Sequence, residues 1–429
     1  MRSRLTGLWA HPDFLKLWGA QTISTVGTQV TFIALPLTAI LVLHASAFQV
    51  AALTAMDTLP FLLFALPAGI WIDRLRRRPL MVVADVGRAA ALFSIPLAYA
   101  FGGLTLGQLF AVGFAVGTLG VFFDLSYLSY LPSLVGREQV ASGNARLEAT
   151  RSAAQAAGPG LGGALVGFFG APVAILADAV SYLFSAGLLG WIRQPEPEPA
   201  AERRPALSEL REGIRYVFGQ PYLRALTLAI AGSNLFTFMV IALFMVYAVR
   251  TLGLSAQLIG VVFTTANVAG LAGALVSGRV VARLGLGRTI VGTSILASIS
   301  WLSVPLAPVS NPLPVVIAGA LAGPFFGVMF NLNQLSLRQA ITPERLMGRM
   351  NSVVRFMYWG SMPAGSLAGG ALATVIGVRP TLFVGIVGGT LAFVPLAATS
   401  LMSLHAIPSQ VDEPRPIGPL VPAPAARNA

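Results

Sequence analysis

The stretch Gly-Gly-Ala-Leu at residues 162–165 recurs 207 residues further on, at residues 369–372, and both copies lie in long apolar runs. The same shift aligns three further pairs, Asn144 with Asn351, Gly158 with Gly365, and Gly170 with Gly377. Two copies with the same direction across a membrane are parallel repeats. The sequence therefore predicts one chain built from two related halves.

The apolar runs are numerous and long enough to cross a membrane. Of the 429 residues, 55% are hydrophobic and only 10% are charged, whereas a soluble domain carries roughly 25% charged residues. About 20 apolar residues span a bilayer. We therefore predict an all-α membrane protein with 12 transmembrane helices in two six-helix parallel repeats. The predicted spans are residues 17–41, 50–72, 80–101, 106–128, 146–168, 172–191, 223–249, 258–281, 288–307, 314–335, 350–375 and 381–402.

A polar stretch between the sixth and seventh spans divides the chain. We predict an N-terminal six-helix bundle at 1–191, a cytoplasmic linker at 192–221 and a C-terminal six-helix bundle at 222–402. Residues 403–429 are rich in Pro and Ala and are predicted to form a disordered cytoplasmic tail.

The linker contains apolar residues at helical spacing, namely Leu207, Leu210, Ile214, Val217 and Phe218. This pattern predicts an amphipathic helix. Two interpretations remain open: a helix that lies at the cytoplasmic membrane interface, and a solvated helical tether.

Membrane topology explains the net charge of +12. With the N-terminus in the cytoplasm, only Arg250 and Arg379 of the 28 basic residues fall on the outer side. The outer connections at 44–49, 102–105, 170–171 and 308–312 contain no Lys or Arg. This asymmetry predicts a multi-pass protein of the cell (inner or plasma) membrane with both termini cytoplasmic, and it argues against nucleic-acid binding.

Composition also narrows the chemistry. The chain has no Cys and three scattered His, so neither a metal site nor a cofactor is expected. Lys16 is the only lysine and lies in no Gly-rich loop, which excludes the phosphate-binding loop of an ATP-driven pump. A membrane enzyme would need clustered His, Cys or carboxylates, which the sequence lacks. We expect a monomer that is not an enzyme.

The segment between the second and third spans, residues 69–79, reads Gly-Ile-Trp-Ile-Asp-Arg-Leu-Arg-Arg-Arg-Pro. A glycine lets a neighbouring helix pass closely, and an aspartate can accept from a helix N-terminus or pair with Arg. We interpret the segment as a conformational latch; basic residues that only fix topology are the alternative. The latch residues are Gly69, Asp73, Arg74, Arg77 and Arg78, with Asp124 in the cytoplasmic half of span four as candidate partner. The matching segment of the second half, 278–283, lacks the aspartate.

Span five contains Gly158, Pro159, Gly162 and Gly163 in a run of small residues. Small residues four apart allow close helix packing, and the proline adds a bend. Ordinary packing of membrane helices, which often uses glycine, is the alternative reading of this segment.

These motifs resemble those of the major facilitator superfamily. Segment 69–79 looks like its signature loop, and segment 154–163 is similar to the antiporter motif of its exporters, with Ala154 where the first Gly is usual. Residues 12–402 resemble the bacterial branch of enterobactin-exporter-like and macrolide-efflux-like proteins. The resemblance implies proton-driven export of small amphiphilic molecules, and in related exporters an acid of span four pairs with an arginine of the loop.

Ionisable residues inside a membrane are costly and are functional candidates. Asp57 lies about nine residues into span two with no basic residue near it in sequence, and we predict it as the proton site. An aspartate bonded to Thr or Gln of adjacent helices is the alternative. Asp178 and the pair Asp85–Arg88 are interpreted as structural.

Two further groups are predicted near the transport pathway. Glu148, Arg151 and Arg355 could form a gate between the halves, or could simply extend to the membrane interface. Polar residues predicted to line the cavity are Gln21, Thr25, Thr28, Asn234, Asn267, Asn331 and Gln334. Hydrogen bonds between helices would explain each of them equally well.

The leading hypothesis is therefore secondary active efflux by alternating access, with a small-molecule substrate, protons and the lipid bilayer as partners. Uptake of a small nutrient on the same fold, or a membrane receptor that no longer transports, remains the alternative.

Overall fold

The computed structural model describes residues 7–72, 75–196 and 206–406, and this part of the chain is helical throughout, with no strand. The first bundle consists of α1 Pro12–Leu41, α2 Ala47–Ile72, α3 Arg77–Ala100, α4 Leu106–Val135, α5 Val140–Phe169 and α6 Ala171–Gly190. The linker contains α7 Ala206–Gly219. The second bundle consists of α8 Pro221–Arg250, α9 Ala256–Leu284, α10 Leu286–Ile299, α11 Ser303–Leu306, α12 Leu313–Ala340, α13 Glu344–Ile376, α14 Val378–Leu391 and α15 Val394–Ala397.

Ten segments of the described chain are long and apolar enough to cross a membrane, and two of these join α10 to α11 and α14 to α15. The 30-residue α5 and the 33-residue α13 are also long enough to span a bilayer. They are less apolar because Gly and Ala replace large side chains where other helices pack against them. The twelve predicted helices agree with this arrangement.

Two predicted spans are interrupted near their ends, and proline explains both breaks. Trp301 lies in the short 3₁₀ turn between α10 and α11, and Pro305 follows it by four residues. Leu391 is the last residue of α14, and Pro395 follows it by four residues. A proline has no N–H and its ring clashes with the carbonyl four residues earlier. The hydropathy pattern alone does not show these interruptions.

The repeat seen in the sequence also appears in the backbone. Gly170 ends α5 with φ 83°, and its counterpart Gly377 ends α13 with φ 87°. Both values lie in the left-handed region that glycine adopts without strain. The next helix begins directly after each glycine, so both halves make the same sharp turn at the same place.

The two bundles share one buried apolar core at one end and have separate cores at the other. We call the end that carries residues 7–11 and α7 the terminal end, and the opposite end the distal end. At the distal end, Leu37 of α1 and Leu243 of α8 belong to one continuous hydrophobic core that draws on both bundles. At the terminal end the cores are separate, one around Phe14 in the first bundle and one around Met350 in the second.

The linker helix α7 docks on the second bundle. Val217 is fully buried there, Glu212 pairs with Arg349, and the Tyr216 hydroxyl donates to the carbonyl of Ile341 at 3.4 Å. Burial raises the pKa of Tyr216, so its hydroxyl stays protonated at neutral pH. The predicted amphipathic helix therefore packs against α13 rather than being a free tether; the side chains of residues 206–210 are outside the described part.

The predicted disordered tail begins too early at residue 403. The carbonyls of Leu404 and His405 accept hydrogen bonds from the backbone N–H groups of Gly287 and Leu286, at 2.9 and 3.2 Å. These N–H groups belong to the first turn of α10, where no carbonyl of the same helix is available. Residues 403–406 are therefore held in place, and residues 407–429 lie outside the described part of the chain.

Candidate functional site at the interface of the two bundles

The paired glycines of the repeat form the interface between the bundles. A Cβ built on Gly163 of α5 would lie 3.0 Å from the Cα of Gly260 in α9, and one on Gly370 of α13 would lie 3.2 Å from the Cα of Phe48 in α2. A Cβ on Gly163 would also overlap the carbonyl oxygen of Ala256, and one on Gly370 would lie 2.7 Å from the Cβ of Ala51. Real Cβ atoms essentially never come this close to other atoms, so a larger residue at either crossing would force the helices to shift. Each half thus packs its second glycine against the other half.

The first glycine of each pair packs within its own bundle. A Cβ on Gly162 would lie 3.0 Å from the Cα of Val30 in α1, and one on Gly369 would lie 3.0 Å from the Cα of Met239 in α8. The Gly-Gly pair therefore fixes α5 and α13 between their own bundle and the opposite one. Close packing on two sides therefore accounts for the Gly-Gly pair of each repeat.

The remaining motif residues strengthen the same crossing. Gly158 packs against the side chain of Gln29 in α1, and the N–H of Gly160 donates to Thr264 Oγ1 in α9 at 3.0 Å. Pro159 is buried in α5 beside them, with its carbonyl close to Gly260.

Only part of the predicted latch can be located. Asp73 and Arg74 lie outside the described residues, and Gly69 is in α2 at a position whose surroundings are not described. The backbone N–H groups of Arg77 and Arg78 donate to Glu196 at 2.5 and 3.3 Å, and Arg78 Nε donates to the carbonyl of Leu189 at 2.9 Å. Glu196 caps α3, as an acid at a helix N-terminus does, and sequence reasoning missed it.

Asp124 does not pair with Arg77 or Arg78 in this conformation. Its side chain is exposed on α4, and the charged groups that act on it are Arg88 and Arg151. The expected bond to an arginine of the loop is therefore absent for these two arginines, which bind Glu196 and the end of α6 instead.

The predicted gate residues are apart in this conformation. Glu148 and Arg151 approach each other at 3.8 Å along α5, with 66% and 62% of their side chains exposed. Arg355 lies over the ring of Trp359 in its own helix, 5.6 Å from the centroid. Sequence reasoning missed Arg338 of α12, a buried arginine whose positive charge is repelled by that of Arg355. Arg338 has no carboxylate partner among the described residues.

Asp57 is exposed on α2, and no described side chain bonds to it. The alternative of an aspartate held by Thr or Gln therefore does not describe this conformation. Four residues further along α2, the ring of Phe61 packs on Trp359 of the second bundle at 5.3 Å. Asp57 thus lies on the face of α2 that turns toward the other bundle.

The predicted lining residues divide into two groups. Thr28 is exposed and hydrogen-bonds to the Tyr182 hydroxyl at 2.9 Å, while Gln21 and Thr25 are half-buried on α1. Gln334 donates to Asn331 at 2.9 Å. By contrast, Asn234 bonds to α13 at the Tyr358 carbonyl and Ser361, and Asn267 bonds to the carbonyl of Phe263 in its own helix. The bonds of Asn234 join α8 to α13, whereas the bond of Asn267 stays within α9.

A buried polar cluster in the first bundle is larger than the pair predicted from sequence. Arg88 forms an ion pair with Asp85, and its guanidinium lies 4.2 Å from the centroid of the Tyr182 ring and 4.5 Å from that of Phe123. Asp178 accepts from Thr31 Oγ1 at 2.5 Å and from Ser181 Oγ at 3.1 Å. We call these residues the Arg88 cluster. The spacing of Asp85 and Arg88 was the only signal for it in the sequence.

Among the described residues, no group of three or more His, Cys, Asp or Glu side chains could hold a metal ion. The site is instead an arrangement of helices. Two six-helix bundles of the same direction, packed through matching glycines and with separate cores at one end, have the architecture of a membrane transporter.

Residues 17–366 match the Major Facilitator Superfamily. The chain belongs to this family of membrane transporters. It is 25% identical over 388 residues to the multidrug efflux pump Tap of Mycolicibacterium fortuitum, covering 88% of this chain and 93% of that protein. It is also 25% identical over 383 residues to the enterobactin exporter EntS of Salmonella typhimurium, covering 88% of each protein.

Among solved structures, a bacterial homologue of the iron transporter ferroportin in an inward-facing state superimposes with a TM-score of 0.71. The match covers 91% of this chain and 98% of that one at 20% identity. At this identity the likeness concerns the fold, and it agrees with the predicted two-bundle architecture.

Proposed function

We propose that the protein is a proton-coupled efflux transporter of small amphiphilic molecules, such as drugs, macrolides or siderophores, and that it works by alternating access. The separation of the bundles at the terminal end, together with their continuous core at the distal end, carries this proposal. Relatives described as a multidrug efflux pump and an enterobactin exporter support the direction of transport.

The distribution of basic residues supports a terminal end in the cytoplasm of a plasma-membrane protein. The conformation described above is then the inward-facing one, in which a substrate enters the cleft from the cytoplasm. Rocking about the crossings of α5 with α9 and of α2 with α13 would close the terminal end and open the distal end. Each bundle, at 1–191 and 222–402, would move as a unit within a monomer.

Three groups of residues have roles in this cycle. Asp57, exposed on the face of α2 toward the other bundle, is the candidate proton site. Asp73 and Arg74, with the loop arginines, would hold the terminal end when it closes. Glu148 and Arg151 on one side and Arg355 on the other would meet as a gate, since the first bundle supplies the acid and the second the base.

Transport in reconstituted vesicles tests this function. The protein is placed in vesicles with a pH gradient, and uptake of a fluorescent dye and of a macrolide is compared between wild type and Asp57→Asn. We expect uptake driven by the gradient in wild type and uncoupled from it in Asp57→Asn. Accumulation against the opposite gradient would indicate an importer instead, and binding without movement would indicate a receptor.

A further inference from the structure

The Arg88 cluster is a group of buried titratable residues that the cycle above does not use. Asp85 is fully buried, Asp178 is 1% exposed and Arg88 is 7% exposed, and they come from α3 and α6. Hydroxyl groups of α1 complete the cluster through Thr28 and Thr31. A buried ionisable cluster in a membrane needs a function or a full set of partners.

The charges of the cluster do not balance. Two buried carboxylates, those of Asp85 and Asp178, share the single guanidinium of Arg88, and the exposed Asp124 outside the cluster also interacts with it. Arg88 bonds to Asp85, and Arg151 also acts on Asp124. Only Asp178 has no basic side chain of its own, so a negative charge on it would be uncompensated.

The surroundings of Asp178 are neutral on every side except toward α3. Helix α1 offers the hydroxyl of Thr31, and α6 itself offers Ser181 and Tyr182. The charged groups that act on Asp178 are Arg88 and Asp85 of α3, which are already paired with each other. In a buried site whose nearest counter-charge is already paired with another carboxylate, the neutral carboxylic acid is favoured over the carboxylate.

The hydrogen bonds of the cluster are incomplete, which allows it to rearrange. Asp85 Oδ2 and Arg88 Nε are buried and have no hydrogen-bond partner, and the Ser185 hydroxyl lies near Asp85. Ser185 is fully buried on α6, one turn beyond Tyr182. The free Nε–H of Arg88 can therefore take a new acceptor when Asp178 loses a proton, without exposing either carboxylate to lipid.

The cluster also has a connection to the cleft. The Tyr182 hydroxyl accepts from Arg88 Nη1 at 3.4 Å and hydrogen-bonds to Thr28, which is exposed. One turn further along α1, the ring of Phe32 packs on Phe263 of the second bundle at 5.1 Å. Thr28 therefore lies on the face of α1 that turns toward the other bundle.

We propose that Asp178 is the residue that binds the coupling proton, with Arg88 as the positioning residue that neutralises it after release. In the conformation described here the O–H bond of the Asp178 carboxyl is intact. When α1 moves away from α6, this O–H bond breaks and the proton passes to water that enters from the cleft, and the Arg88 guanidinium then compensates the carboxylate that remains. This inference rests on the proton coupling proposed above but replaces Asp57 as the proton site, so under it dye uptake by Asp57→Asn stays coupled to the pH gradient.

Helix packing couples the proton to the conformation. Gly27 of α1 faces Asp178, and a Cβ built on Gly27 would lie 2.5 Å from Asp178 Oδ1 and 2.8 Å from the Cβ of Ser181. The tight contact leaves no space for water beside the carboxyl group, so α1 must move away from α6 before Asp178 can ionise. Helix α1 also reaches the second bundle through Phe32, so this movement can be transmitted between the bundles.

Infrared spectroscopy of the purified protein at neutral pH tests the proposal without a substrate. A protonated carboxyl group gives its own carbonyl-stretch band. We expect wild type to show this band, Asp178→Asn to lose it, and Asp57→Asn to keep it. Thr31→Val, which removes the hydrogen bond to Asp178 but keeps the carboxyl group, should shift the band, so the test does not depend on the stability of one variant.

The outcomes separate this inference from the proposed function. A band that is absent from wild type, or that disappears in Asp57→Asn and persists in Asp178→Asn, overturns the assignment to Asp178 while leaving proton-coupled efflux intact. In vesicles, Asp178→Asn should make dye uptake independent of the pH gradient. If the band belongs to Asp178 but wild-type transport ignores the gradient, the proton site stands and the antiport function fails.

Discussion

Arg250, the last residue of α8, donates a hydrogen bond from Nη2 to the carbonyl oxygen of Ala45 at 2.7 Å. Ala45 lies in the connection between α1 and α2, so the bond joins the two bundles at the distal end. Arg379, the other basic residue of this end, donates to the carbonyl of Pro305 at 3.0 Å within the second bundle. Two arginines on the same side of the molecule therefore have different roles, one between bundles and one inside a bundle.

Replacing Arg250 should loosen the distal closure. Arg250→Gln removes a hydrogen bond worth about 1 kcal/mol, which corresponds to roughly a fivefold gain in the population with the distal end open. The chain has no cysteine, so spin labels can be placed at His44→Cys and Thr251→Cys and their distance distribution measured directly. Arg379→Gln, the matched control, should leave the distribution as in wild type. Equal distributions in Arg250→Gln and wild type would show that the bond does not hold the end closed.

The glycine crossing between α5 and α9 should tolerate no side chain. Gly163→Val places a side chain where the backbone of Gly260 lies, and overpacking of this kind costs about 1–3 kcal/mol. We expect a lower melting temperature and slower transport in vesicles. Gly187→Val in α6 is the control, because no atom lies within 4 Å of a Cβ at that position. A Gly163→Val protein as stable and active as the control would contradict the assignment of this crossing as a close-packed pivot.

Those features of the fold that depend on a pattern along the chain can be predicted from the sequence alone. Hydropathy predicts the helices, the shift between Gly163 and Gly370 predicts the repeat, and the spacing of Ile214 and Val217 predicts α7. The partners of each side chain could not be predicted in this way, since they depend on which helices meet. Arg88 illustrates this: its i, i+3 relation to Asp85 is visible in sequence, whereas the approach of Asp178 from α6 follows only from the fold.

Docking of α7 should depend on a glycine. A Cβ on Gly213 would lie 2.8 Å from the carbonyl oxygen of Arg349, so Gly213→Leu should displace α7 from α13. Gly219→Leu adds the same side chain where no atom lies within 4 Å. Hydrogen exchange of the α7 amides should become faster in Gly213→Leu and remain slow in Gly219→Leu, because an undocked short helix is marginally stable in water. Slow exchange in both variants would mean that docking does not stabilise α7.

The ion pair between Glu212 and Arg349 should contribute little to the docking of α7 on the second bundle. Because 49% of the Glu212 side chain is exposed, solvent screens the pair and its contribution should be about 0.2–1 kcal/mol. Glu212→Gln should therefore increase hydrogen exchange of α7 far less than Gly213→Leu does. An equal effect of the two substitutions would show that charge, rather than close packing, holds the helix.

Closure of the terminal end should depend on opposite charges across the cleft. Between residues 222 and 402 the second bundle has Glu344 as its only acidic residue, so nearly all the acidic residues that could pair with Arg338 and Arg355 lie in the first bundle or the linker. Glu148→Lys places like charges on both sides and should favour the open terminal end. Spin labels at Asn144→Cys and Asn351→Cys, equivalent positions of the two halves, would report a longer mean distance.

A second charge reversal, in the other bundle, serves as the control for this prediction. Adding Arg355→Glu to Glu148→Lys restores opposite charges in the reverse order, so the double variant should recover the short-distance population. Recovery is expected because close charge pairs in a cleft that excludes water interact more strongly than those on a surface. If Glu148→Lys leaves the distances unchanged, or if the double variant does not differ from the single one, the two side chains extend into solvent and the gate lies elsewhere, with Arg338 and Asp124 as the next pair to reverse.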